Sequence, residues 1–188
     1  ARRAMTGQIL SFNGITPKIA DDAFIAPTAV VIGDVEIGPG SSIWYGCVVR
    51  GDVNRIRIGA RTNVQDGTVI HVNHDPAGSY LETGGGMPTH IGDDVTIGHM
   101  ALIHACRIES GGFVGMNTTI MDEAVVEGGA MVAAGALLTP RKRVPSGDLW
   151  SGSPAKKMRE LTQEERDYIP YSAQNYARLA AEHLRQFG

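Results

Sequence analysis

The stretch Ile91-Gly92-Asp93-Asp94-Val95-Thr96-Ile97-Gly98-His99-Met100-Ala101-Leu102-Ile103-His104 places an isoleucine at every sixth position, twice followed by glycine. The same beat runs through Ile25, Val31, Ile37, Ile43 and Val49, slips by three, and resumes at Ile58, Val64 and Ile70. Beyond Ile103 a five-residue step leads to Ile108, Val114, Ile120, Val126, Val132 and Leu138. A period of six is neither the 3.6 of an amphipathic helix nor the alternation of a half-buried strand. It is a hexapeptide repeat, in which each hexad supplies one short strand and a turn and three hexads close a triangular coil. Aliphatic first positions point into the prism. Glycine and small residues take the corners, where a Cβ would clash or φ is positive. Coils then stack by parallel pairing at about 4.8 Å. The fold expected is therefore all-β with a C-terminal helix: a left-handed parallel β-helix of roughly four to five coils. Its flat faces are best covered by further copies, in a homotrimer.

Three segments follow. Residues 1–20 form an N-terminal segment, 21–140 the β-helix with a loop insertion at 76–90, and 141–188 a C-terminal extension. The insertion, with Gly84-Gly85-Gly86, Pro76 and Pro88, has loop chemistry throughout. The repeat is read as stopping at Pro140, with Pro145-Ser146-Gly147-Asp148 as a turn and Trp150 to Ala155 leading out of the prism. Thr162-Gln163-Glu164-Glu165 is a capping box opening a helix that meets Pro170. A second helix follows, with Tyr171, Ala173, Tyr176, Ala177, Ala180 and Leu184 on one side, and lies along a prism face. Ala1-Arg2-Arg3-Ala4 ahead of Met5 read as appended residues outside the fold.

Composition excludes several roles. With 188 residues the chain can bury a core, and 17 basic against 20 acidic residues leave a net charge of −3. That balance carries no footprint for nucleic acid, and Arg141-Lys142-Arg143 and Lys156-Lys157 read as solvated turns. No apolar run reaches the roughly 18 residues of a membrane span, and no signal-peptide pattern opens the chain. Cys47 and Cys106 have no CxxC partner and read as buried free thiols in a cytoplasmic protein.

The chemistry concentrates in three of the six histidines. With the insertion excised, hexads from Ile58, Val64 and Ile70 lie on the same three faces as those from Ile91, Ile97 and Ile103. His71 and His104 then share a position on one face, one coil apart, within reach of a single ion. His99 falls on the next face, directly above Asp66. A threefold assembly would bring the His99 face of one copy against the His71/His104 face of its neighbour. Three neutral imidazoles leave an open fourth position, the pattern of catalytic zinc, where the pKa of bound water falls from 15.7 toward about 7. His74 and His90 lack this register and read as loop residues, and His183 belongs to the tail helix.

With these residues the sequence resembles the γ-class carbonic anhydrase family over nearly its whole length. The resemblance rests on His71, His99 and His104 with Arg50-Gly51-Asp52 and Asn63-Val64-Gln65-Asp66, and extends through Gly152-Ser153-Pro154-Ala155-Lys156-Lys157 and Tyr171-Ser172-Ala173. It implies a homotrimer with interfacial Zn2+, or Fe2+ or Co2+, catalysing reversible hydration of CO2 to bicarbonate by a metal-bound hydroxide. His71 and His104 would come from one chain and His99 from the next. Arg50 and Asp66 would pair across the interface, in a structural or a substrate role. Gln65 would orient the hydroxide or CO2, Asn63 would act as an orienter one layer behind the ligands, and Asp52 would belong to the polar network around Arg50. Tyr171 matches a tyrosine that relatives bring from the tail toward the site, with core packing as its other reading.

Two positions depart from the family pattern. Val53 stands where well-characterised members carry a glutamate after the Arg-x-Asp triplet, and Val72-Asn73-His74 lacks the shuttle glutamate of their loop. His74, because an imidazole suits proton transfer near neutral pH, or Glu82 would take over proton export. The alternatives are a weakly active or inactive metal-binding trimer, acting as an assembly subunit or on another substrate, and a hexapeptide acyltransferase.

Overall fold

Parallel pairing stacks the hexads into three columns in the computed structural model, which describes residues 6–187. In the first column Val49, Ile70, Ile103, Ile120 and Leu138 lie in register. The second aligns Ile25, Ile43, Val64, Ile97, Val114, Val132 and Trp150. The third aligns Ile37, Ile58, Ile91, Ile108, Val126 and Val144. Apart from the half-buried Trp150, every one of these side chains is buried. Each contributes about 1.5–3 kcal/mol relative to exposure, and β-branched Ile and Val suit the extended backbone. The strands Val30–Ile37 and Val48–Ile58 pass a corner without a break, so the first and third columns join in one 12-stranded sheet. The second column is a separate eight-stranded sheet.

The corners hold the left-handed turns expected of glycine there, as at Gly67 with φ 72°. Arg61, Met100 and Asn117 also take positive φ there. Gly98 answers a different demand: a Cβ on it would lie 2.6 Å from the backbone nitrogen of Met116, one coil above. The five-residue step after Ile103 is closed by Ala105, at φ 46°, whose N–H donates to the His71 carbonyl.

The prism is longer than the repeat suggested. Of the eight strands in the second sheet only Ala155–Glu160 is antiparallel, so seven coils stack there rather than four to five. Gln8–Leu10 and Lys18–Ile19 already pair parallel with Val30–Ile37. At the other end the beat of six continues past Pro140 through Val144 and Trp150. Pro140 sits in a corner between two strands, where its missing N–H interrupts no ladder. Trp150 to Ala155 do not leave the prism; Asp148–Gly152 and Ala155–Glu160 form a hairpin on its end. The β-helix thus extends beyond 21–140 at both ends. Residues 1–4 lie outside the described residues.

The insertion is also less open than its composition implied. Tyr80–Thr83 form a short helix, α1, capped by Ser79 and by Gly84 at φ 70°. Thr89–Ile91 belong to the third column, which places His90 on a strand between Arg57 and Arg107 and not in a loop. Tyr80 is buried and donates to Asp34 Oδ2 at 2.8 Å, while Asn54 Nδ2 donates to the carbonyls of Asn73 (3.2 Å) and Gly85 (3.1 Å).

One helix, α2 (Gln163–Phe187), replaces the two expected around Pro170. Its capping box is formed as read: Glu165 N–H donates to Thr162 Oγ1 at 3.2 Å and Thr162 N–H to Glu165 Oε2 at 2.9 Å. Pro170 removes one N–H, but Ile169, Ser172 and Ala173 are buried on both sides of it, and packing on the second column holds the helix together. Cys47 and Cys106 are buried and free, and burial pushes their thiols up to about 11 and about 12. Both stay protonated at neutral pH.

Candidate metal centre

In the first column the strands Val69–His71 and Leu102–His104 pair residue for residue, so His71 and His104 stand one coil apart with ring centroids 5.4 Å apart. Ile70 and Ile103 point into the prism, and strand alternation therefore turns the next residue outward. A carboxylate engages one nitrogen of each ring: His71 Nε2 meets Asp52 Oδ1 at 2.9 Å and His104 Nδ1 meets Asp122 Oδ1 at 2.6 Å. Among the described residues, His71 Nδ1 and His104 Nε2 have no hydrogen-bond partner and are left for another group. On the second column Ile97 pairs with Val64, which sets His99 over Asp66, and His99 Nδ1 meets Asp66 Oδ2 at 3.0 Å.

Burial pushes the His71 pKa below its ordinary value, against the raising pull of Asp52 and with the help of Arg50. The neutral ring this favours is the ligand form. For Asp52, burial acts upward, but hydrogen bonds from His71 and Arg50 together hold the carboxyl below its usual range. Arg50 Nη1 lies 2.5 Å from Asp52 Oδ2, so within one chain its ion-pair partner is Asp52 and not Asp66.

An imidazole with one nitrogen fixed by a carboxylate and the other free is how ligating histidines are oriented around divalent cations. All three rings have this form, so the donor set fits such an ion. Among the described residues no three His, Cys, Asp or Glu side chains gather into one metal-sized group within the chain. Two rings lie on one column and the third on the next.

Behind the His99 face runs a buried amide chain. Gln65 Nε2 donates to Asn63 Oδ1 at 3.0 Å, Asn63 Nδ2 donates to Thr96 Oγ1 at 3.0 Å, and Thr96 Oγ1 lies 3.0 Å from Ser172 Oγ of α2. Gln65 and Asn63 are both buried. Tyr168, Ser172 and Tyr176, on one side of α2, share a cavity of about 420 Å3 with Gln65 and His99. Tyr171 is 59% exposed in the single chain, so it does not pack in the core, and its ring lies 6.0 Å from that of Tyr168, which lines the same cavity. A helix turns by about 100° per residue, so when Ser172 faces the prism Tyr171 cannot.

Val53 and His74 line a second cavity, of about 460 Å3, beside Asp52, Tyr80 and Leu81, with His74 exposed at its rim. His183 lies on α2 as read, with Nδ1 3.1 Å from Tyr45 Oη. Three polar residues escaped the sequence reading: Asp122, Asn73 and Ser172. Asp122 does not fall on the repeat position above His104, because the coil that holds the five-residue step spans 17 residues, from Ile103 to Ile120.

The chain is 54% identical over 171 residues to the protein named γ carbonic anhydrase 2, mitochondrial, of Arabidopsis thaliana, a match covering 91% of this chain and 60% of that protein. Over 162 residues it is 43% identical to a probable carbonic anhydrase of Methanocaldococcus jannaschii, covering 86% of this chain and 95% of that protein. The solved structure of a hexapeptide transferase family protein from Anaplasma phagocytophilum matches with a TM-score of 0.85 at 46% identity, over 94% of this chain and 98% of that one. A family model described as dynactin subunit 5 matches residues 16–179. The chain spans only 60% to 64% of the three Arabidopsis proteins it resembles.

Proposed function

We propose that this chain, which belongs to the γ-class carbonic anhydrase family, catalyses the metal-dependent, reversible hydration of CO2 to bicarbonate. The observation that carries the reading is the pair His71 and His104 in strand register, each with one nitrogen fixed by a carboxylate and the other free, with His99 in the same state on the adjoining column. A homotrimer would bring the His99 face of one copy to the His71/His104 face of the next. The surfaces suit this. Val69 and Leu102, which share a column with Leu137 beside the paired histidines, are 40% and 45% exposed, and an apolar cavity opens beside His99. The ion in such a seam is Zn2+, or Fe2+ or Co2+, and when bound it supplies the Lewis acidity that makes water a nucleophile at neutral pH.

The chain's own residues do the rest. His71, His99 and His104 hold the ion, and Asp52, Asp122 and Asp66 fix the rings. The Gln65 amide, locked by Asn63, aligns the attacking oxygen and CO2 by hydrogen bonding, which contributes through orientation. Arg50 balances Asp52, and in the trimer its guanidinium lies at the seam to pair with Asp66 of the neighbour. His74, on an open rim next to Asp52, takes the proton to solvent in place of a glutamate. A cytoplasmic setting, suited to two free thiols, belongs to the same proposal. No helix is long and apolar enough to cross a membrane among the described residues. The relatives' names favour the hydratase over the inactive-subunit and acyltransferase readings.

Stopped-flow CO2 hydration on protein loaded in turn with zinc, iron and cobalt, with metal content measured on the same samples, tests the proposal. Activity that requires metal and disappears in His99→Ala is expected. Three ions per trimer with no hydration in any form would overturn the hydratase reading.

A further inference from the structure

The three carboxylates that fix the imidazoles are not held alike. Asp52 is held from within its own strand by Arg50. Asp66 has no second side-chain partner among the described residues. Asp122 Oδ1 engages His104, while its other oxygen, Oδ2, accepts a hydrogen bond from Asn73 Nδ2 at 2.9 Å. Asn73 stands at the root of the insertion. Its backbone exchanges two hydrogen bonds with Met87, at 2.9 and 3.0 Å, across the loop's neck, and its carbonyl accepts from buried Asn54. The neck therefore fixes Asn73, the Asn73 amide fixes Asp122, and Asp122 fixes the ring of His104.

We infer that Asn73 is a positioning residue for the metal centre, acting through Asp122 to hold His104 in its ligating orientation and so coupling the insertion to metal affinity. The inference rests on the metal-site reading above. An asparagine suits the task because its NH2 donates to the carboxylate without adding charge, so the Asp122 oxygen facing His104 remains an acceptor. With the amide removed, the carboxylate is free to rotate about its Cβ–Cγ bond, a broad torsion, and the ring loses its fixed partner. Outer partners of metal-bound histidines typically change affinity by about 10- to 100-fold.

Metal affinity of the full chain, read by competition with a chromogenic zinc chelator, separates the possibilities. Asn73→Ala is expected to weaken zinc about 10- to 100-fold while the circular dichroism spectrum is kept. Its effect should vanish when Asp122 is already alanine, because a residue acting through another adds nothing once that one is gone. Asp122→Asn serves in the cycle if Asp122→Ala does not fold. Tyr80→Phe cuts the insertion's bond to Asp34 but leaves Asn73–Asp122 intact, and should bind zinc as the parent does. A loss that persists undiminished in the Asp122 variant, or equals that of Tyr80→Phe, would reduce Asn73 to a loop anchor and overturn the inference. Unchanged affinity in Asn73→Ala would do the same. A parent protein that binds no zinc would instead sink the metal-site reading on which it stands.

Discussion

The first column builds its half of the proposed centre completely, and the second does not. His71 and His104 have side chains 21% and 30% exposed, and their carboxylates Asp52 and Asp122 each have a second partner. His99 and Asp66 are 41% and 43% exposed, and among the described residues Asp66 has no side-chain partner besides His99. Beneath the first pair lie Ile70 and Ile103, wholly buried in the main core. Beside His99 the cavity reaches Met131 and Leu149, which belong to a smaller cluster shared with α2. The first face is organised by its own coil. The second depends on what covers it, α2 on one side and, in our proposal, a neighbouring copy on the other.

That contrast has measurable edges. The largest effect should come from the core: Ile103→Ala should cost about 2–5 kcal/mol in denaturant unfolding. Met131→Ala, in the smaller cluster, should cost less. Equal losses would mean that the second face is as rigidly packed as the first. Next come the carboxylates. Asp52→Ala should weaken metal binding about 10- to 100-fold with the trimer retained. Asp66→Ala should in addition weaken trimer association, seen as concentration-dependent sedimentation. If Asp66→Ala left sedimentation unchanged, the second face would be self-sufficient.

A smaller effect is expected at the proton exit. His74→Ala should lower turnover in dilute buffer and recover with added imidazole, so a rate with unchanged buffer dependence would remove His74 from that role. The smallest concerns the seating of α2 by acid. The Arg159 guanidinium, with the Thr162 N–H, holds the Glu165 carboxyl down at about 2 from an ordinary 4.5. A depressed carboxyl stabilises the fold fully above its unfolded value and loses that contribution as pH falls through the folded one. For a pair this open to solvent, screening keeps the contribution small. The melting temperature of Glu165→Gln should therefore trail the parent's at pH 6, and the gap should close between about pH 4.5 and 2. A gap that stayed constant to pH 2 would deny the ion pair any part in it.

Much of this was legible in the sequence because a hexapeptide repeat ties position in the chain to position in space. Counting by six placed His71 over His104 and His99 over Asp66, and both registers are present. Counting failed where the beat weakened. Leu138, Val144 and Trp150 keep the spacing, but Pro140 and a polar corner disguised the continuation. His90 looked like loop because it lies at the edge of the insertion, out of register with the other histidines, yet it sits on a strand. The resemblance named Tyr171, while the inward turn of Ser172 follows only from the seating of α2.

By itself the sequence determined the parallel β-helix, the faces on which the three histidines stand, and the cap of α2, because each follows from local periodicity or local hydrogen bonding. Tertiary structure alone decided that Asp122 and Asn73 hold His104 and that Ser172 closes the Gln65–Asn63 chain. Those contacts join residues 18 to 76 positions apart. Only packing in three dimensions selects which side chains meet.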